Sequence, residues 1–142
     1  MRKTILVIFM LCGLSVALPA QDIRTLFIEA PDSVLPSLPR SVRADCVDFA
    51  DAGMNYPVSN IFDGKSVLKE LDDDHLLLQS TAVSTVEMKL LPAGDSYVVC
   101  VVKTVFAEAA DSRIAFFDHD WKRLDTGLYF TPPAIKDFFA GE

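Results

Sequence analysis

The sequence predicts an α+β domain: an antiparallel meander of about six strands, covered on one face by N-terminal helices. Three observations predict it. Between Ser41 and Ala52 the apolar residues fall at helical spacing, whereas from about Tyr56 the pattern changes to that of strands. Turn-forming clusters then recur at short intervals, as Asp63-Gly64, Asp72-Asp73-Asp74, Pro92-Ala93-Gly94-Asp95 and the stretch Glu108–Ser112. The main helical signals all precede the strand signals, which suits a sheet with its helices gathered on one side.

Taken in order, Asp22 caps a short helical turn containing Ile23, Leu26 and Phe27. Pro31 ends it, because a proline disfavours helical backbone at the residue before it. Asp32-Ser33 restart the chain toward Leu35 and Leu38, with Pro36 and Pro39 as interruptions. Ser41 is then the expected N-cap of a helix through about Ala52, and Gly53 its stop. On that helix Val42, Cys46 and Phe49 form an apolar stripe, with Arg43, Asp45 and Asp48 off it.

Asp63-Gly64, between Val58–Phe62 and Ser66–Leu71, is a strong hairpin signal. The next strand runs over His75–Thr81. Val86, Met88 and Leu90 then alternate with Thr85, Glu87 and Lys89, giving a strand with one wet face. Tyr97–Val102 is apolar throughout, which predicts a central strand covered on both faces at its start. Arg113–Phe117 supplies the last strand, with Ile114 and Phe116 on one side, and Pro132-Pro133 introduces a terminal helix over Ala134–Phe139. The Val42/Cys46/Phe49 stripe and the strand around Cys100 each need cover, so the expectation is that they pack on each other.

Residues 1–20 have the three-part layout of a cleaved secretory signal. Arg2 and Lys3 are followed by an uncharged run, Ile5–Val16, and by small residues around Ala17–Ala20. The apolar run is too short to cross roughly 30 Å of hydrocarbon. Cleavage falls after Ala17, where Ser15 fits the small-residue rule, or after Ala20, which leaves Gln21-Asp22 as the start. Cys12 is preceded by Leu11 where a lipid-modified cysteine needs a small neighbour, so a lipoprotein is not expected. Residues 21–142 then form a single domain, long enough to bury about two-thirds of its unfolded surface.

The chain has 13 basic and 20 acidic residues, and loss of Arg2 and Lys3 leaves a formal net charge of −9. Nucleic acid and anionic membrane surfaces are poor partners for such a chain, since both need clustered Lys and Arg. Cys46 and Cys100 survive processing. They are either a disulfide in an oxidising compartment or two small buried hydrophobes, and their spacing fits neither a redox pair nor a zinc cluster.

Histidine stands beside carboxylates in Asp72-Asp73-Asp74-His75 and in Asp118-His119-Asp120. The second set is the candidate for a metal site or acid–base pair, against the plainer reading of solvated turn residues, since consecutive side chains diverge. No nucleophile elbow, phosphate loop or dinucleotide fingerprint occurs, and no cofactor is expected. Trp121, Tyr129 and Phe130 are the candidate binding residues. They are either a lid over the sheet end or anchors for a partner.

Several segments together resemble a known family: Leu26-Phe27, Pro31-Asp32-Ser33, Arg43-Ala44-Asp45 with Asp48-Phe49, Asn60 with Gly64-Lys65-Ser66, Glu87 through Pro92, Cys100 through Thr104, Asp111 through Phe116 and Asp120-Trp121-Lys122. Their order and spacing are similar to the secreted Bacteroidales proteins of domain-of-unknown-function family 3256. The resemblance implies an envelope setting in a Gram-negative gut-type bacterium, with no reaction attached; release into the periplasm is the expectation from the signal segment itself. Members of that family run further than residue 142, so this chain reads as a natural short form, the product of a frame-shifted gene or a truncated sequence. A sheet edge left open there would invite self-association. The leading expectation is a non-catalytic interaction or envelope-associated module with a protein or envelope partner. The alternatives are a small ligand-binding module for a lipid or peptide, and a metal-dependent hydrolase using Asp118, His119 and Asp120.

Overall fold

The computed structural model describes residues 22–138, so the expected signal segment, both cleavage bonds and Cys12 lie outside the described residues. Two helices, α1 (Ile23–Glu29) and α2 (Arg40–Asp51), precede six strands. These are β1 (Val58–Ser59), β2 (Lys65–Leu71), β3 (His75–Thr81), β4 (Ser84–Ala93), β5 (Ser96–Phe106) and β6 (Ala110–Phe117). The strands lie in sequence order and every neighbouring pair is antiparallel. This is the meander that the pattern predicts. Of the expected terminal helix, the described residues form a 3-10 turn over Ile135–Phe138.

One face of the sheet carries the core. Leu76 and Leu78 of β3, Val86 and Met88 of β4, and Val99 and Val101 of β5 point toward the helices and pack with Ile23, Leu26, Phe27, Cys46 and Val47. Alternation sends Leu77, Glu87, Cys100, Val102 and Phe116 to the other, helix-free face. Helix α2 lies on β2 and α1 reaches β4. The α2 stripe therefore packs chiefly on β2, rather than on the strand around Cys100 as expected. Cys100 faces away from the helices, and the sheet stands between it and Cys46. The start of β5 is covered on both faces, since Val98 and Val99 are both buried, but the strand is second from the edge and not central.

The N-terminal cap of α1 is as expected, with the Asp22 carboxylate accepting from the Arg24 backbone N–H at 3.3 Å. Helix α2 differs. Its N-cap is Pro39, and Ser41 makes no capping bond. The Pro39 carbonyl accepts from the N–H groups of Val42 and Arg43, at 3.0 and 3.1 Å, so the helix starts earlier than the Ser41 signal implies. Its C-terminus follows the glycine signal. Gly53 is left-handed (φ 73°), and the N–H groups of Gly53 and Met54 donate to Ala50 and Phe49, closing a Schellman motif.

The buried set on α2 is Arg43, Cys46 and Val47, with Val42 and Phe49 only half-buried. Arg43, expected off the stripe, is 1% exposed. Its guanidinium donates to the carbonyls of Leu38 (2.7 Å), Leu35 (3.2 Å), Ile28 (3.3 Å) and Ala30, and to the Asp32 carboxylate at 2.6 Å. Two prolines, Pro36 and Pro39, and a run of turns leave the α1–α2 connection without a ladder to satisfy its carbonyls. A fork of five N–H donors supplies the missing partners, and a hydrocarbon side chain cannot.

The Asp63-Gly64 hairpin is also different. Only Val58 and Ser59 pair with Ser66 and Lys65, and residues 60–64 form a longer loop. Asp63, not Gly64, is left-handed (φ 57°). The loop is built around buried Asn60. Its Oδ1 accepts from the N–H groups of Phe62 and Gly64, both at 3.0 Å, and its Nδ2 donates to Ser66 Oγ and the Ser80 carbonyl, both at 3.2 Å. Gly64 matters here by size, because a Cβ there would stand 3.3 Å from Asn60 Nδ2.

Arg24 ties the far end of α2 to α1, its single Nε–H shared between the two Asp51 carboxylate oxygens (3.0 and 3.1 Å) and its Nη2 donating to Oδ1 (2.8 Å). These bonds hold the Asp51 carboxyl below its ordinary value, and the Lys89 ammonium does the same for Asp74 through a 2.7 Å bond.

Arg43→Met keeps the bulk but strands four carbonyls, and should cost about 3–5 kcal/mol in urea denaturation, with Arg43→Lys recovering little of it. A lowered carboxyl pKa adds stability that is complete above the unfolded value near ~4 and vanishes as pH falls through the folded value. The Asp51→Asn, Asp74→Asn double variant should therefore unfold at lower urea than wild type at pH 6, and the gap should narrow toward pH 3.

Candidate functional site

The helices make their main contacts with β2 and β4, and the β5–β6 side of the sheet lies farther from them. There the core-facing rows end in polar side chains. Register places Leu78, Val86, Lys103 and Arg113 in one row and Leu76, Met88, Val101 and Ala115 in the next. Above β5 and β6 lies a cleft of about 530 Å³. Its floor is Val101, Ala115 and Phe117. Val34, from the connection that Arg43 holds, walls one side, and Trp121, from the loop after β6, walls the other.

Three cations line this cleft, Lys103, Arg113 and Arg123, and no acidic residue does. Lys103 and Arg113 are direct cross-strand partners, an arrangement that sets like charges against each other. Lys103 Nζ reaches the Ser33 carbonyl at 3.3 Å, and burial pushes its pKa down. Neither arginine pairs with a carboxylate among the described residues. In a chain with seven more acids than bases, this is an uncommon local excess.

Trp121 is held there by the loop that contains Asp118, His119 and Asp120. Asp118 Oδ1 accepts from the backbone N–H groups of Asp120 and Lys122, both at 2.9 Å, and Leu124 rejoins the edge of β6 through a 2.8 Å bond to the Phe116 carbonyl. The tight turn puts Trp121 in the left-handed region (φ 63°), which for a bulky residue costs about 1–2 kcal/mol. The indole packs on Phe117, with ring centroids 5.4 Å apart. Its Nε1–H is buried and meets no acceptor among the described residues, a deficit worth about 1–3 kcal/mol.

The other candidates take different positions. Asp118 is occupied by its own loop, and His119, largely exposed, sits with Nε2 3.2 Å from the carboxylate of its neighbour Asp120. His75 bonds Glu87 at 2.9 Å on the helix-free face. No group of three or more His, Cys, Asp or Glu suited to a metal ion is found among the described residues. Cys46 and Cys100 are both free. Desolvation raises the Cys46 thiol to about 11, and burial also raises Cys100.

Trp121 and Tyr129 do not share a surface. Phe116 and Phe117 are consecutive on β6 and point to opposite faces. Trp121 packs on Phe117 on the helix side, while Tyr129 stacks on Phe116 across the edge, at 5.0 Å. The segment therefore wraps the β6 edge. Leu128, Tyr129 and Phe130 remain substantially exposed on the far side.

Sequence reasoning found Trp121 by its residue type and missed Lys103, Arg113 and Arg123. Strand alternation assigns Lys103 to the face of Val101, and Arg113 to that of Phe117, but only the β5–β6 register brings the two together.

Trp121 is the chain's single tryptophan, so its emission reports on the cleft alone. At low ionic strength iodide should quench it several-fold more efficiently than caesium, because the local potential is positive although the net charge is −7. Equal or reversed quenching would contradict a locally positive cleft.

Comparison with known proteins gives a consistent picture. A family model described as Protein of unknown function (DUF3256) matches residues 15–142. A solved domain of an uncharacterized protein from Porphyromonas gingivalis W83 is similar at 31% identity and a TM-score of 0.69, over 84% of this chain and 61% of that one. The chain thus spans 61% of the length of that domain. No curated protein matches.

Proposed function

The chain belongs to the DUF3256 family of proteins of unknown function, and on that premise we propose that it is an exported, non-catalytic binding module that holds a small ligand in the Trp121 cleft. The observation that carries this reading is the cleft itself. An apolar floor, the Trp121 side chain and three cations without carboxylate partners among the described residues converge on one concave surface. A concave surface that joins an apolar floor to convergent polar groups is a usual form of ligand site, and about 530 Å³ lies within the common range. Export rests on the Arg2-Lys3 and Ile5–Val16 signal. A periplasmic setting in a Bacteroidales-type bacterium rests on family resemblance and on the Porphyromonas gingivalis neighbour. Among the described residues no helix is long and apolar enough to cross a membrane.

Native mass spectrometry of protein purified from an envelope fraction tests the reading. A small-molecule adduct retained by the wild type and lost in Trp121→Ala is expected, while His119→Ala and Asp120→Ala leave adduct, metal content and melting temperature unchanged. Bound metal that disappears with His119→Ala would replace this reading with the hydrolase alternative.

The outer edge of β6 supports a second reading, self-association. Residues 110–115 pair with no strand on that side among the described residues. Exposed Asp111 and Arg113 are the kind of charged side chain that discourages edge pairing. Sizing chromatography decides it, and a monodisperse monomer would end it.

A further inference from the structure

We propose that the cleft beside Trp121 takes an amphiphilic organic anion, its carboxylate or phosphate head held between Lys103 and Arg113 and its apolar body lying along Val101, Ala115 and Phe117. The inference rests on reading this cleft as the ligand site, and goes further by naming the ligand's chemistry.

The head position follows from register. Lys103 and Arg113 are opposite each other on adjacent strands and face the same way. Their mutual repulsion is relieved by an anion between them, and a guanidinium beside an ammonium offers both a bidentate fork and a point charge. A metal cation or a cationic ligand would add to the repulsion instead. Three cations are too few for a nucleic-acid backbone, where affinity comes from many phosphate contacts.

The body position follows from the strand. Arg113 and Phe117 are four residues apart on β6, about 13 Å along the sheet. The side chains between them on that face are apolar, Ala115 beside Val101 of β5. Farther along lie Phe117 and the Trp121 ring packed on it, with Arg123 paired to Phe117 across the edge. A ligand running from Lys103 to Trp121 therefore meets charge, then hydrocarbon, then an aromatic ring. At the distal end Arg123 offers a second charged contact.

The test uses the folded protein and its single tryptophan. Emission is followed while sodium octanoate, octyl phosphate, octanol or inorganic phosphate is added. Octanoate or octyl phosphate should give a saturable change, and the tighter of the two identifies the head group. Octanol, which lacks the charge, and inorganic phosphate, which lacks the body, should each bind at least about tenfold more weakly. Arg113→Gln should weaken the anionic amphiphiles about tenfold, the loss of one charge-assisted contact, and leave octanol unchanged. Arg113 is exposed, so its variant should melt with the wild type; Lys103→Gln gives an independent second reading. If octanol binds as well as octanoate and neither variant matters, the anionic assignment falls while the cleft remains a ligand site. If none of the four changes the emission, the inference is overturned. The binding-module reading falls with it only if native mass spectrometry also finds no adduct.

Discussion

The buried guanidinium of Arg43 is the interaction on which the rest of the helical layer depends. The chain between α1 and α2 is held by neither helix nor sheet hydrogen bonding, yet it contributes Val34, Leu35 and Leu38 to the core. Apolar side chains can be buried only if the backbone that carries them is satisfied, and here the carbonyls of Ile28, Ala30, Leu35 and Leu38 all turn inward to one side chain. The charge itself is balanced at the rim by Asp32, whose carboxylate is largely exposed. Placing the counter-ion at the surface keeps the desolvation cost of the pair lower than burial of both partners would. One residue thus fixes the entry of α2, the path of the connection and the wall that the connection offers to β5 and β6.

At the other end of the chain the structure depends on alternation. Phe116 and Phe117 leave β6 in opposite directions, and the segment that follows supplies a ring to each, Trp121 in front and Tyr129 behind. This covers the end of β6 and closes the cleft, at the cost of a left-handed tryptophan. The helical layer makes its main contacts with β2 and β4, and loops from both ends of the described chain add cover over β5 and β6. A sheet wider than its helices leaves a margin, and there three cations without carboxylate partners among the described residues collect beside Trp121.

Much of the fold was legible in the sequence. The strands β3 and β4, the N-cap Asp22 and the Gly53 terminus follow local rules, because capping, turn chemistry and alternation act over a few residues. The departures have a common cause. Ser41 is outcompeted as a cap by the Pro39 carbonyl, and the Asp63-Gly64 turn by the Asn60 side chain, which bonds Ser66 and the distant Ser80 carbonyl. Arg43 looks like a surface residue because its five acceptors lie 5 to 15 positions away. In each case a contact from another element overrides a local preference worth about 1 kcal/mol.

The same division holds for the site. By itself the sequence determined the element types and their order, the export-like N-terminal pattern, the acidic balance and the candidacy of Trp121, all of which are properties of composition and short-range spacing. Only the tertiary structure decided which face each strand turns to the helices, that Cys46 and Cys100 lie on opposite sides of the sheet, and that Lys103, Arg113 and Arg123 meet Trp121. The physical reason is that a strand's own pattern fixes alternation but not its register against a neighbour. Register and the reach of the helical layer are set by the packing of the whole, and charge becomes a site only where that packing leaves it uncompensated.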